Sequence, residues 1–316
     1  MSAATFALQD AGRHPIHAEG RIWPETNCYV DLWVEVLHAL GHDPRPGLAF
    51  TLSAGFEVDQ WQFVKYPLED LRALYGLDVA ELNPWRPLEW HVAEQLAAGR
   101  LLTAEVDAWY LPDTAGVSYR LAHVKTSIVP DHIDPDGRRV TYFHGPGHFA
   151  LDGEDYDGLF RRGELGPDVL PPYVERIVLG PRPVVSTDLV EGLVATHLAR
   201  RPAGNPVHDM AARFDHDRPW LEASGVDAFH DYAFATARQC GATGELAATL
   251  CEWLAEHGRP TGGAGPHFLR VAEQAKTLQF TMARIAAGRA VDHRSLFEGA
   301  AESWGEAIAA LVRHYG

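Results

Sequence analysis

The sequence predicts an α+β domain over residues 1–180 followed by an all-α domain over residues 181–316. Three observations carry this. Apolar residues recur at Val30, Trp33, Val34, Leu37 and Leu40, the spacing of one helix face. Residues 101–144 break into short strand-like runs bounded by turn residues, as in an antiparallel sheet. After the turn-rich break at residues 178–184 the pattern is almost entirely helical.

The first helix starts at Cys28. Thr26 or Asn27 can cap it and Gly41 can close it. A thiol on a first helical turn sits at the positive end of the macrodipole, which favours the nucleophilic thiolate. The expected pKa of Cys28 is therefore below the ~8.5 of a free cysteine. The plain alternative is a buried cysteine packing as a small apolar residue. Residues 68–75 and 90–98 suit short helices. Residues 101–110 suit a strand, and residues 122–129 a second strand that His123 opens. Asp134-Pro135-Asp136-Gly137 is a turn with Pro at its second position and Gly at its fourth. Residues 140–144 then return as a strand ending in His144.

In the second half, Ser186 or Thr187 caps a helix running to residue 199. Residues 226–254 are apolar-periodic with an interruption at Gly241-Ala242-Thr243-Gly244. Helices over 266–289 and 295–315 follow, the first preceded by a flexible Gly-rich link at residues 260–266. Lys276 and Gln279 sit on an otherwise apolar helix, where the lysine is expected to snorkel.

A cysteine opening a helix, a histidine opening a later strand and a polar residue ending the next is the order used by papain-like thiol enzymes. The cysteine attacks, the histidine shuttles the proton and the third side chain orients the imidazole. The segments CYVDLWVEVLHALG, EVDAWYLPDTAG with SYR and AHVKTSI after it, and VTYFHGPGHFALDGEDYDGLF resemble an uncharacterised bacterial family associated with amino acid:carrier-protein ligases. AFATARQCGATGEL and AEQAKTLQFTMARIA extend this resemblance over nearly the whole chain. More distantly, the first half is similar to the N-terminal domain of the butirosin biosynthesis acyltransferase, which resembles the papain-like double-glycine leader peptidases.

The resemblance implies a papain-like catalytic domain with Cys28 as nucleophile and His123 as general base. The third role falls on His144, where the peptidases have Asp, and a histidine brings no negative charge to stabilise an imidazolium. The implied activity is acyl or aminoacyl transfer. The donor is the phosphopantetheine thioester of an acyl or aminoacyl carrier protein, the intermediate a Cys28 thioester, and the acceptor a small-molecule amine. The alternatives are a papain-like cysteine peptidase or amidase and a catalytically silent carrier-binding protein. An oxyanion hole would use the Cys28 backbone N–H with Asn27 or Thr26. Asp107, Tyr110 and Asp113 flank the loop before His123; they suit recognition of an amine or hydroxyl on the acceptor, or simple turn chemistry. Lys125 shares a strand face with His123 and either stabilises developing negative charge or reaches solvent. Asp59, Gln60 and Trp61 are further cleft candidates.

Composition narrows the classes. The chain has 316 residues, 46% of them apolar, enough for a sizeable core. A net charge of −16 argues against nucleic-acid binding. It also opposes an acidic carrier unless a local basic patch intervenes, at Arg138-Arg139, Arg161-Arg162 or Arg200-Arg201. No stretch approaches the ~20 apolar residues of a membrane span. Residues 1–24 carry Asp10, Arg13, His14, His17, Glu19 and Arg21, unlike a secretory signal. Three cysteines give no disulfide framework, so a reduced cytoplasmic protein is expected. His14 with His17, His208-Asp209 and Asp215-His216-Asp217 offer metal-binding side chains without an HExxH or CxxC pattern, and no metal is predicted. The turn at Gly145-Pro146-Gly147-His148 lacks the order of a phosphate loop, and no bound nucleotide cofactor is implied.

Overall fold

A computed structural model describes residues 2–9, 12–163 and 171–316, so Asp10 of the N-terminal stretch lies outside the described residues. The chain runs β1 (Ala4–Thr5), α1 (Cys28–Ala39), a short hairpin of β2 (Phe56–Glu57) and β3 (Gln60–Trp61), α2 (Leu68–Tyr75), β4 (Leu77–Leu82), α3 (Leu88–Ala97), β5 (Leu101–Asp107), β6 (Lys125–Asp134), β7 (Arg139–His144), β8 (Gly147–Asp152), α4 (Gly153–Leu159) and β9 (Val174–Leu179). Then come α5 (Thr187–Arg200), α6 (Pro206–Ala233), α7 (Gln239–Glu256), α8 (Ala264–Ala286) and α9 (Arg294–Tyr315). The protein is α+β, an antiparallel sheet region followed by a helical region.

Two compact units divide the chain. The first is Met1–His17, Cys28–Pro44 and Leu68–Val184; the second is Ala18–Asn27, Arg45–Pro67 and Val185–Gly316. The division is discontinuous; its last crossing, between Val184 and Val185, falls near the cut expected at residue 180.

In the first unit the strands run in the order β4-β9-β5-β6-β7-β8, every pair antiparallel. The start of β6 pairs with β5 and its far end with β1. Pro130 lies inside β6, where a missing N–H normally ends a strand. A register shift between Pro130 and His132 absorbs it, so β6 continues to Asp134 instead of stopping near residue 129. Strand β5 is shorter than expected. At its end Asp107 accepts the Trp109 backbone N–H at 3.0 Å and turns residues 108–110 into a 3-10 helix. His123 lies in the loop before β6, not on the strand. Helix α1 is buried from Tyr29 to Leu37, as a central helix is, and packs on β6, β7 and β8.

In the second unit α7, α8 and α9 pack in sequence. The Gly241–Gly244 stretch does not interrupt a helix; it lies inside α7, where the absent side chain of Gly241 admits the Trp23 ring. The irregularities fall earlier, at Gly225 with φ 73° and at the π-helical turn Phe234–Arg238. His208, Asp209 and residues 215–217 are helical, on α6. Residues 18–27 are stitched into this unit by Glu245, buried on α7, which accepts the Ile22 and Trp23 backbone N–H groups at 3.0 and 2.7 Å. The Trp23 indole donates to the Ala272 carbonyl, and Lys276 lies 4.1 Å above its ring. No helix of the described residues is long and apolar enough to cross a membrane.

Candidate active site

Helix α1 starts at Cys28 and delivers its thiol to the beginning of β6. The Thr126 hydroxyl and the Ser127 backbone N–H lie close enough to the thiol to favour its thiolate form. Strand side chains alternate, so Thr126 and Ile128 share a face. Ile128 pairs with His144 across β6 and β7, which brings that imidazole to Thr126. Thr126 Oγ1 lies 2.8 Å from His144 Nε2. His144 Nδ1 lies 2.5 Å from Asp113 Oδ2, and Tyr142, two residues before His144 on the same face, donates its hydroxyl to Asp113 Oδ1 at 2.5 Å. A carboxylate only accepts, so Asp113 sets the tautomer: Nδ1 carries the proton and Nε2 offers its lone pair to Thr126. A hydrogen-bonded chain results, from Thr126 through His144 to Asp113, with the Cys28 thiol beside Thr126. Burial, then the Asp113 charge, pushes the Tyr142 pKa up, so it remains a phenol donor.

Cys28 is partly exposed, whereas Cys240 and Cys251 are buried. Burial nevertheless dominates at Cys28 and lifts its pKa above the usual 9.0. The Thr126 hydroxyl opposes this, the Asp31 carboxylate adds to it, and Lys125 and the Ser127 N–H pull the other way. This reverses the expectation from the helix dipole, because desolvation of the thiolate outweighs a terminal half-charge. Iodoacetamide should label Cys28 before Cys240 or Cys251, with a rate still climbing beyond pH 9.0. Burial pushes Cys251 up to about 12, which keeps it behind. Peptide mapping across a pH series checks this; a rate that levels off below neutrality would contradict it.

The remaining expected site residues separate. His123 is not part of the thiol chain. Its Nδ1 lies 2.6 Å from Asp107 Oδ2, its ring stacks on Trp109 with centroids 4.5 Å apart, and its side chain is 68% exposed. Lys125 joins it there, ion-paired to Glu105 at 2.8 Å. His144, not His123, is the histidine hydrogen-bonded to Thr126. The Asp113 side chain is 4% exposed and is bound to His144 and Tyr142. The Tyr110 ring fills the space left by Gly158, and Arg120 sits 5.4 Å above it. Asn27 belongs to the second unit, where its amide donates to Val64 O and Gln239 Oε1. Asp59, Gln60 and Trp61 lie in the second unit as well.

Sequence reasoning missed Thr126. A threonine opening a strand is ordinary β chemistry, and nothing in its neighbourhood signals a thiol. It also missed a buried polar cluster beneath the site. Fully buried His17 lies 2.5 Å from Glu35 Oε1 and 3.3 Å from Asp31 Oδ1, both on α1. Among the arginine pairs, Arg138 is bound to Asp157, Arg162 to Glu89, and Arg201 to the Leu198 carbonyl. Among the described residues no group of three ligating side chains could hold a metal.

A family model for the DUF1839 N-terminal domain matches residues 12–179, and one for the DUF1839 C-terminal domain matches residues 185–313. No curated protein is similar to the chain.

Proposed function

The chain is a member of the DUF1839 family, and we propose that its first unit is a papain-like thiol acyltransferase. Cys28 is the nucleophile. The observation that carries this is the hydrogen-bonded chain from Thr126 through His144 to Asp113, with the Cys28 thiol beside Thr126. As the sulfur attacks a donor carbonyl, the S–H proton passes to Thr126 Oγ1 while the Thr126 hydroxyl proton passes to His144 Nε2. Asp113 stabilises the imidazolium. The new Thr126 O–H then donates to sulfur, so the relay serves an uncharged resting thiol.

A thioester donor suits this site better than an amide. Collapse of the tetrahedral intermediate expels a thiolate, a weak base with an unperturbed pKa of ~8.5 that needs little protonation. An amine leaving group would need a strong, well-placed acid. The phosphopantetheine thioester of a carrier protein is the donor that the sequence resemblance implies, and an amine is the acceptor. A free thiol of this kind fits a reducing compartment such as the cytoplasm.

The test is acyl loading. Incubation with a panel of small acyl and aminoacyl thioesters, without amine, should leave an acyl mass on the full-length protein. The adduct should map to Cys28 and vanish in Cys28→Ala. Loading that persists in Cys28→Ala would overturn the covalent mechanism.

A further inference from the structure

The first unit also holds a second histidine–carboxylate pair that the relay does not use. His123 is held on two sides, by Asp107 at 2.6 Å and by the parallel face of Trp109, 11° from its own plane. Asp107 is itself fixed, because it also accepts the Trp109 backbone N–H. An imidazole on the surface rarely needs such restraint; here it fixes the tautomer with the proton on Nδ1, leaving the Nε2 lone pair on the solvent side. The pair lines a pocket of about 320 Å³ together with Glu105, Lys125 and Tyr173. That volume is at the small end of ligand pockets. Lys125 lines the pocket, and its charge acts on Cys28.

We infer that this pocket is the acceptor site, that its substrate is a small primary amine carrying a carboxylate, and that His123 is the base that deprotonates it. The inference rests on the acyl-transfer reading for the reaction but not for the binding. An ammonium fits next to His123 and the acidic Asp107. A carboxylate fits Lys125, whose exposed ion pair with Glu105 is readily exchanged for a ligand's charge. In the transfer step the ammonium gives one proton to His123 Nε2, Asp107 stabilises the imidazolium, and the freed amine attacks the Cys28 thioester carbon. A C–N bond forms and the C–S bond breaks. The second amine proton returns to the sulfur, and His123 releases its proton to solvent.

Two measurements on the full-length protein test this. In the first, acyl-Cys28 enzyme is mixed with alanine or with alaninamide and acyl loss is followed by mass. His123→Gln should slow aminolysis about 10²-fold or more while leaving loading unchanged. Asp107→Asn, which keeps the cap on Trp109, should slow it by less. Lys125→Met should raise the half-saturating concentration of alanine and not that of alaninamide. Aminolysis unaffected by His123→Gln, or no preference for alanine over alaninamide, would overturn the assignment. In the second, the His123 ring resonances are followed by NMR in Cys28→Ala as alanine is added. A saturable shift absent in Lys125→Met is expected; no shift refutes the site whatever the reaction. A shift in a protein that never loads acyl groups would sink the transfer reading and leave the amine site standing.

Discussion

Thr126→Val should slow acylation of Cys28 by about 10²–10⁴-fold, the range of a lost general base, while Thr126→Ser should keep most of the rate. Valine has the shape of threonine but neither accepts the S–H proton nor donates to Nε2, so it severs the relay without a cavity. Serine restores the hydroxyl at the cost of one methyl group. Asp113→Asn should fall in the same range, because an amide that donates to the imidazole favours the wrong tautomer. His123→Gln should leave this step untouched. The measurement is single-turnover loading from a thioester, read by mass. A Thr126→Val enzyme that loads normally would mean that the thiol finds its base elsewhere, and a slow His123→Gln enzyme would name it.

The legible part of the fold was whatever one strong local signal decides. The helix over residues 28–39 was legible because its apolar spacing is dense, and the turn at residues 134–137 because Pro and Gly mark it. The extent of β6 was not legible, since Pro130 argues for a strand end and only tertiary pairing on both edges overrides it. The discontinuity of the two units was hidden for a similar reason. Nothing local marks Trp23 as a residue that packs against α7 and α8, or Glu245 as the acceptor for backbone more than 200 positions away. At the site, Cys28 and His144 stood out by residue type and position. The roles of His123, Asp113 and Thr126 depended on strand parity. His123 is two residues short of the strand it was expected to open, yet it lines one pocket with Lys125, the residue expected to share its face.

Glu35→Ala should destabilise the protein by about 3–5 kcal/mol, the loss expected when one partner is removed from a buried ion pair. Glu35 is 3% exposed; it holds His17 at 2.5 Å and also accepts the His14 backbone N–H at 3.1 Å, so alanine takes a buried partner from each. The same cluster sets a pH dependence. Burial alone would lower the His17 pKa, but hydrogen bonds to Asp31 and Glu35 outweigh it and hold it above 6.5. A histidine with a raised folded pKa contributes stability that is complete below its unfolded pKa and is lost as pH rises through the folded one. The contribution of His17 should therefore be full at about pH 6 and decline above it. Urea midpoints measured at about pH 6 and pH 9 should show a smaller drop in His17→Gln than in the wild type. An equal drop in both would show that His17 does not carry the charge. The cluster also reaches the chemistry, because Asp31 is three residues from Cys28 and raises its pKa. Once His17 loses its proton, Asp31 stands less compensated, and iodoacetamide labelling of Cys28 at alkaline pH should respond to Asp31→Asn with a faster rate. An unchanged rate would confine the cluster to stability alone.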